Sequence, residues 1–289
     1  MKALVFGSRG WIGGYILPML EQRGFVVIEP PVGLRADDTR AAAEYIRQTN
    51  PDRVVCLVGR THGEGFTTID YLEQPGKLVE NLRDNLFAPL SLAETCADLG
   101  IHFTYMGTGC IFCSESPQET VPYSENDDPD FFGSSYSTVK GYTDRLMRHT
   151  YNETALNVRI RMPITADRSG RNFVTKIATY KKVCSIANSM TVLPTLLPLL
   201  CDMVWNKTTG TINLVNPGSI THNEILRLYR EHVDPGFTWE NFTLEEQEQV
   251  LLSKRSNNVL DTTKLVDMYP DVPDIHAAVQ GVLMEMGKA

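Results

Sequence analysis

At 289 residues, with 42% hydrophobic and 21% charged residues, the chain can bury a sizeable core as one domain with a lobe or as two small domains, and nothing in it reads as disordered. A formal net charge of -8 argues against nucleic acid or an anionic membrane as partner, because both need a basic face that releases counterions. A small anionic ligand stays open, since a few local cations suffice to hold one.

The N-terminus enters a short apolar strand at once, without the longer apolar region and cleavage site of a secretory signal, which places the chain in the cytoplasm. In that compartment the six cysteines are expected as free thiols. The sequons at Asn152, Asn206 and Asn241 then meet no glycosylation machinery. The most apolar later stretch, 191–205, contains Pro194, Pro198 and Asp202 and is too short to span a bilayer.

In chain order, a strand over 2–6 runs into Gly7-Ser8-Arg9-Gly10-Trp11-Ile12-Gly13-Gly14 and then a helix that Gly24 ends. Strand, glycine turn and helix form the setting of a dinucleotide fingerprint, in which the glycines admit the pyrophosphate and the helix N-terminus favours its charge. The alternative is an ordinary βα turn. A second strand over 25–28 leads to Glu29, Pro30, Pro31 and Arg35. An acid here suits NADH, whereas Arg35 with Arg9 could clamp the 2′-phosphate of NADPH, and the reading leans to NADPH.

A helix over 39–48, a strand over 53–58 and a loop over 59–63 beside the cofactor follow. A long helix over 79–99, carrying Asn81 and Asn85, returns to a strand over 101–106 that ends in Gly107-Thr108-Gly109-Cys110. Strands alternating with helices argue for a doubly wound parallel α/β sheet, in which ligands bind at the carboxyl ends of the strands. The stretch 111–135 is long for a connection and reads as a lid or binding loop, with Glu125, Asp127, Asp128 and Asp130 solvated.

Tyr136 and Lys140 stand at i and i+4 of a helix over 135–151 and share a face. Beside a nicotinamide, Tyr136 could donate a proton as hydride reaches a carbonyl, with Thr108 holding the oxygen and Lys140 lowering the pKa of a phenol that is otherwise about 10. Cys110 is either a small buried side chain or a base acting on a carbon acid two residues from Thr108. Cys110 and Cys113 form a CxxC, but without a second pair for zinc or a thioredoxin setting, so no metal is expected. After a strand over 156–160, Arg161 to Ile164 redirects the chain, and a division into a dinucleotide-binding core over 1–162 and a mainly substrate-binding lobe over 163–289 is expected. That lobe shows helices over 172–182, 193–205, 244–251 and 275–286, a strand over 211–215, and a capping box from Thr221 to Glu224.

Taken together, Gly10 to Gly14, Thr108 to Phe112, Tyr136 with Lys140, Arg161 to Ile164, Arg171 to Phe173, Thr175 to Ile177, Asn188 to Thr191, His222 to Leu226, Phe237 to Trp239, Asn241 to Gln247 and Arg255 to Asn258 make a specific pattern. It resembles the extended short-chain dehydrogenase/reductases, and within them the bifunctional nucleotide-sugar 3,5-epimerase/4-reductases that make UDP-L-rhamnose in plants and giant viruses. The resemblance implies a Rossmann-type fold, NADPH or NADH as cofactor, and UDP-4-keto-6-deoxy-D-glucose as substrate. It further implies that Cys110 removes the protons at C3 and C5, that Lys176 returns them from the opposite face, and that Tyr136, Lys140 and Thr108 serve the reduction at C4. Gly7, Ser8, Arg9, Gly10, Trp11, Ile12, Gly13, Arg35 and Asn85 are the expected cofactor contacts, and Arg171, Asn172, Phe173, Arg255 and Asn257 the expected substrate contacts. Ser8-Arg9 and the loop around Leu34-Arg35 depart from the plant pattern at the 2′-phosphate end of the cofactor.

Since no dehydratase region is present, the resemblance implies that a separate 4,6-dehydratase supplies the substrate, in the host cytoplasm if the chain is virus-encoded. A homodimer through exposed helices is compatible with this fold. Two other readings stay open. One is a 4-reductase acting only on an already epimerised UDP- or dTDP-4-keto sugar, which would need neither Cys110 nor Lys176. The other is a non-catalytic NADP(H)-binding sensor, which would not need an intact Thr108, Tyr136 and Lys140.

Overall fold

Each apolar run expected as a strand pairs in a single sheet. In the computed structural model, which describes residues 1–114 and 121–288, β1 (Lys2–Phe6) leads to α1 (Trp11–Gln22), β2 (Val26–Ile28), α2 (Thr39–Thr49) and β3 (Arg53–Cys56). Then come α3 (Leu78–Leu82), α4 (Ala88–Asp98), β4 (His102–Thr108), α5 (Ser135–Thr150) and β5 (Ala155–Ile160). The rest is α6 (Phe173–Ile177), β6 (Lys182–Val183), α7 (Leu193–Trp205), β7 (Gly210–Asn213), α8 (His222–His232), β8 (Glu240–Asn241), α9 (Leu244–Val250), α10 (Thr263–Met268) and α11 (Ile275–Met286). Part of the expected loop over 111–135, residues 115–120, lies outside the described residues.

Six strands pair in the order β2-β1-β3-β4-β5-β7, every pair parallel. Their continuous apolar character follows from burial on both faces. The order reverses between β1 and β3, so a crevice opens at the carboxyl ends of β1, β3 and β4. On one face α1 and α7 pack against Val5, Val55, Val158 and Ile212. On the other, α2 and α4 cover Leu4, Phe6, Val54 and Phe103. The chain crosses the expected division at residue 162: α7 and β7 return to the main sheet, while α6, α8 and α11 enclose a separate cluster around Ile164, Met190 and Ile220.

Two expected helices are interrupted, each for a local reason. The helix expected over 79–99 contains one π turn, Arg83–Phe87, between α3 and α4. Pro89 has no N–H to give the carbonyl of Asn85, and that carbonyl accepts the Thr143 hydroxyl instead at 2.8 Å. The helix expected over 172–182 stops at Ile177, because the polar run Thr179 to Lys182 offers no face to bury. Lys182 and Val183 pair with Glu240 and Asn241 instead. The Thr221–Glu224 capping box forms as read, and Thr243 with Glu246 adds a second on α9. Of the acidic run, Asp127, Asp128 and Asp130 are exposed, yet Asp130 also takes the Cys113 N–H at 3.0 Å and the Tyr123 hydroxyl at 2.7 Å. None of the described helices is long and apolar enough to cross a membrane.

Candidate active site

The turn after β1 is built so that backbone can approach a ligand. Gly7 has φ +82, and a Cβ on Gly13 would lie 2.0 Å from the Ser8 carbonyl oxygen, so these two positions require glycine. Gly10 caps α1 without a side-chain hydrogen bond, and no acid stands in the first turn. The amides that open this helix are therefore free of side-chain partners, and the helix dipole favours an anion there. Those features fit a dinucleotide pyrophosphate. Arg9 donates to the Pro30 carbonyl at 2.7 Å, which carries its guanidinium from the glycine turn to the end of β2.

Arg35, expected as the second half of a phosphate clamp, is engaged elsewhere. It donates to Asp37 at 2.7 Å and to Asp84 at 3.0 Å, and the same two carboxylates hold Arg83 at 2.9 Å and Arg60 at 2.5 Å. A phosphate would have to compete with both acids for Arg35, leaving Arg9 as the less encumbered cation. Trp11 is half-buried and donates to Asp167 at 3.1 Å, a carboxylate that also holds the Tyr15 hydroxyl. Ile12 packs against the main core, and Ser8 is buried.

Asn85 lies in the π turn and is fully buried. Its side chain accepts the Arg60 N–H at 3.0 Å, donates to the Arg60 carbonyl at 2.9 Å and donates to Asn81 at 2.8 Å. Its hydrogen bonds thus go to the loop after β3, which it shapes from below. A Cβ on Gly59 in that loop would meet the Asn85 oxygen at 3.3 Å and the Lys140 Nζ at 4.0 Å, so the loop, the π turn and α5 converge.

At the end of β4, Thr108 accepts the Cys110 N–H at 3.1 Å and its hydroxyl faces Tyr136. Cys110 packs against the small cluster of Tyr71, Leu72 and Tyr136. Burial and then the neighbouring Cys110 push the Tyr136 phenol above its ordinary range, while Thr108 opposes the shift. One turn along α5, the Lys140 ammonium lies 4.5 Å over the Tyr105 ring and contacts that hydroxyl. Burial lowers the Lys140 pKa to about 8. The sequence places this lysine as the cation that acidifies Tyr136; in the structure its ammonium turns to Tyr105 because β4 presents a hydroxyl beneath it.

The floor under Cys110 is held by a residue that strand patterning does not single out. Arg161, 1% exposed, donates to the Gly109 carbonyl at 2.9 Å, to Asn188 at 2.6 Å and to the Ser256 carbonyl at 3.0 Å. Asn258 donates to the Gly109 and Phe112 carbonyls at 3.0 and 2.8 Å. A charged residue directly after an apolar strand was the available signal.

The expected substrate residues divide. Arg171 contacts His62 at 2.5 Å, and His62, Arg60 and Lys176 lie near enough that the other three cations lower the His62 pKa, after burial. Burial and then Arg171 also lower the Lys176 pKa. Asn172 is fully buried and caps α6, donating to the Thr165 and Asp167 carbonyls at 2.8 and 2.6 Å, so it serves the loop rather than a ligand. Phe173 packs edge-on against His222 at 5.3 Å. Arg255 grips Asp70 at 2.8 and 3.2 Å, and Asn257 accepts from Asn188 at 3.1 Å. His62 and Arg60 are the additions to the expected set; both belong to the loop read as lying beside the cofactor, although neither was singled out.

Residues 1–219 match the RmlD substrate binding domain family. Protein L780 of Acanthamoeba polyphaga mimivirus is 52% identical over 288 residues, covering 99% of each chain. A crystal structure of L780, described as a UDP-rhamnose synthase, has a TM-score of 0.94 to this chain. The Arabidopsis thaliana bifunctional dTDP-4-dehydrorhamnose 3,5-epimerase/dTDP-4-dehydrorhamnose reductase is 38% identical over 289 residues, 99% of this chain and 93% of that protein. The trifunctional UDP-glucose 4,6-dehydratase/UDP-4-keto-6-deoxy-D-glucose 3,5-epimerase/UDP-4-keto-L-rhamnose-reductase RHM2 of the same plant is 37% identical over 292 residues, which span this chain but 42% of that protein.

Proposed function

The chain belongs to the RmlD substrate binding domain family, and from that premise we propose that it is an enzyme converting UDP-4-keto-6-deoxy-D-glucose to UDP-L-rhamnose, by epimerisation at C3 and C5 followed by reduction of the C4 ketone. The observation that carries this reading is the thiol of Cys110 packed against the cluster that includes Tyr136, next to Thr108. A reductase needs the hydroxyl pair at this position; only proton abstraction from carbon gives the thiol work to do. The names of the relatives, a UDP-rhamnose synthase and a bifunctional epimerase/reductase, support the same assignment.

Thr108 and Tyr136 direct hydroxyls at the C4 oxygen, and their hydrogen bonds stabilise negative charge on it. That charge develops in two stages, first as the enolate when a C3 or C5 proton leaves, then as the alkoxide during reduction, so one pair of donors serves both. Cys110 takes the proton from carbon. Lys176, whose lowered pKa eases proton transfer near neutral pH, delivers a proton to the opposite face and inverts the centre. NADPH, when bound, supplies the hydride that reduces C4. The glycine turn Gly7 to Gly13 and the open amides of α1 would hold its pyrophosphate, and Arg9 its 2′-phosphate. Tyr136 gives its proton to the C4 oxygen, with Lys140 one turn along α5 as the cation of the pair.

Arg171, with Arg60 beside it, is the cationic group suited to the diphosphate of the substrate, and Arg255 joins it where the anion displaces Asp70. The ketone is the product of a 4,6-dehydratase, an activity that RHM2 carries in its name. The test is NADPH consumption with UDP-4-keto-6-deoxy-D-glucose and identification of the product. UDP-L-rhamnose from the wild type, none from Cys110→Ala, and continued reduction by Cys110→Ala of a pre-epimerised ketone support the reading. Reduction without inversion at C3 and C5 would reduce the enzyme to a plain 4-reductase.

A further inference from the structure

We propose that Tyr105 is a positioning residue for ketone reduction, whose buried hydroxyl and ring hold the Lys140 ammonium beneath the active site and keep it protonated. The inference rests on the reductase reading of this site and assigns a partner to its lysine. Tyr105 lies on β4 three residues before Thr108 and is 1% exposed. Its hydroxyl contacts the Lys140 Nζ, and the same ammonium lies 4.5 Å from its ring centroid. A strand position this deep is normally filled by an aliphatic or phenyl group, since a buried hydroxyl needs a partner. The only side-chain hydrogen bond of this one, among the described residues, is with Lys140.

The surroundings explain why the lysine needs it. Lys140 is 4% exposed and no carboxylate forms a salt bridge with it among the described residues. The ionisable groups around it are Cys56 on β3, Tyr105 on β4, Cys110 beyond β4 and Asp144 on α5 itself, with Tyr136 near Tyr105, and Asp144 is committed to Arg159 at 2.7 Å. Cys56 and Tyr105 are both pushed up by burial and stay neutral. A neutral phenol that accepts a hydrogen bond from the ammonium, and offers it the face of its ring, stabilises the charged form without adding a charge. Burial lowers the Lys140 pKa, and the Tyr105 hydroxyl, as acceptor of its hydrogen bond, opposes that fall by favouring the charged form. Tyr105 thus sets the alkaline end of the pH range over which a cation is present behind Tyr136.

The test is the pH profile of kcat for NADPH-dependent reduction of a pre-epimerised 4-keto sugar, in wild type and Tyr105→Phe. The phenylalanine fills the same volume, so the core packing is kept. The alkaline limb should move toward acid by about one pH unit, the scale of one hydrogen bond to a charged group, with kcat at pH 8 falling about fivefold and the KM for NADPH changed less than threefold. Tyr105→Met, which also fills the site without a hydroxyl, should move the limb the same way, so the outcome does not hang on one variant folding. An alkaline limb that stays in place, or moves to higher pH, in either variant overturns the proposal. Absence of reduction by the wild type at every pH would instead overturn the reductase reading on which it rests.

Discussion

Substituting alanine for Gly13 isolates the claim that the turn after β1 seats a dinucleotide. The added Cβ would lie 2.0 Å from the Ser8 oxygen, 2.5 Å from the Ser8 carbonyl carbon and 2.9 Å from the Gly7 oxygen. Ordinary contact begins at 3.4 Å, so the Ser8 carbonyl must retreat by 3.4 − 2.0 = 1.4 Å. These are backbone atoms in a turn closed by the Gly10 N–H on the Gly7 carbonyl at 3.0 Å, and they cannot swing aside as a flexible side chain would. Overpacking of this kind costs about 1–3 kcal/mol, and it falls on the loop that must cradle the pyrophosphate, so NADPH affinity should drop roughly 5- to 150-fold. Gly14, the adjacent residue, is the control: a Cβ there meets nothing within 4 Å. Gly14→Ala should bind NADPH as the wild type does and gain up to about 1 kcal/mol of stability from helix propensity. Fluorescence titration of NADPH into the three proteins measures this. Gly13→Ala binding within twofold of the wild type, or Gly14→Ala weakened as much, would refute the reasoning.

Three further outcomes follow from named contacts. Arg9→Ala should raise the KM for NADPH by about tenfold or more, the value of a charge-assisted hydrogen bond, with little change for NADH; Arg35→Ala should do much less, because Asp37 and Asp84 already hold that side chain. Asp144→Asn leaves Arg159, 0% exposed, without its carboxylate, and urea unfolding should show a loss of about 3–5 kcal/mol. Burial depresses the His222 pKa from 6.5 to about 4, so the unfolded chain takes up this proton first as pH falls. The stability linked to its neutral form is therefore whole above pH 6.5 and is lost between there and about pH 4, by roughly 3 kcal/mol. Across that window the melting temperature of the wild type should fall relative to that of His222→Phe, and parallel curves would contradict the assignment.

Much of the sheet was legible because three of its strands announce themselves in sequence: residues 2–6, 53–56 and 102–108 are largely apolar runs bounded by glycine or proline. The same was true of the glycine turn and of the Tyr136–Lys140 spacing, which are local patterns. What escaped was set by contacts far apart in the chain. The π turn at Arg83–Phe87 depends on Pro89 together with a hydroxyl from Thr143. The short α6 depends on a strand pairing with residues 240 and 241. Periodicity alone extended both helices. In the site, Asn172, Asn257 and Arg255 were expected as substrate contacts from the family resemblance, and the structure engages them in capping, with Asn188 and with Asp70. Tyr105 sat inside an apolar run and carried no signal of its own; only the facing lysine gives its hydroxyl a purpose.

The claim that one site performs both epimerisation and reduction is tested most directly by running the reaction in deuterated water. Proton NMR of the product formed from UDP-4-keto-6-deoxy-D-glucose and NADPH should show UDP-L-rhamnose carrying deuterium at C3 and C5, and Cys110→Ala should form none. A reduced sugar with its original configuration and no deuterium on carbon would contradict the account, returning Cys110 to the role of a packed thiol beside Tyr136.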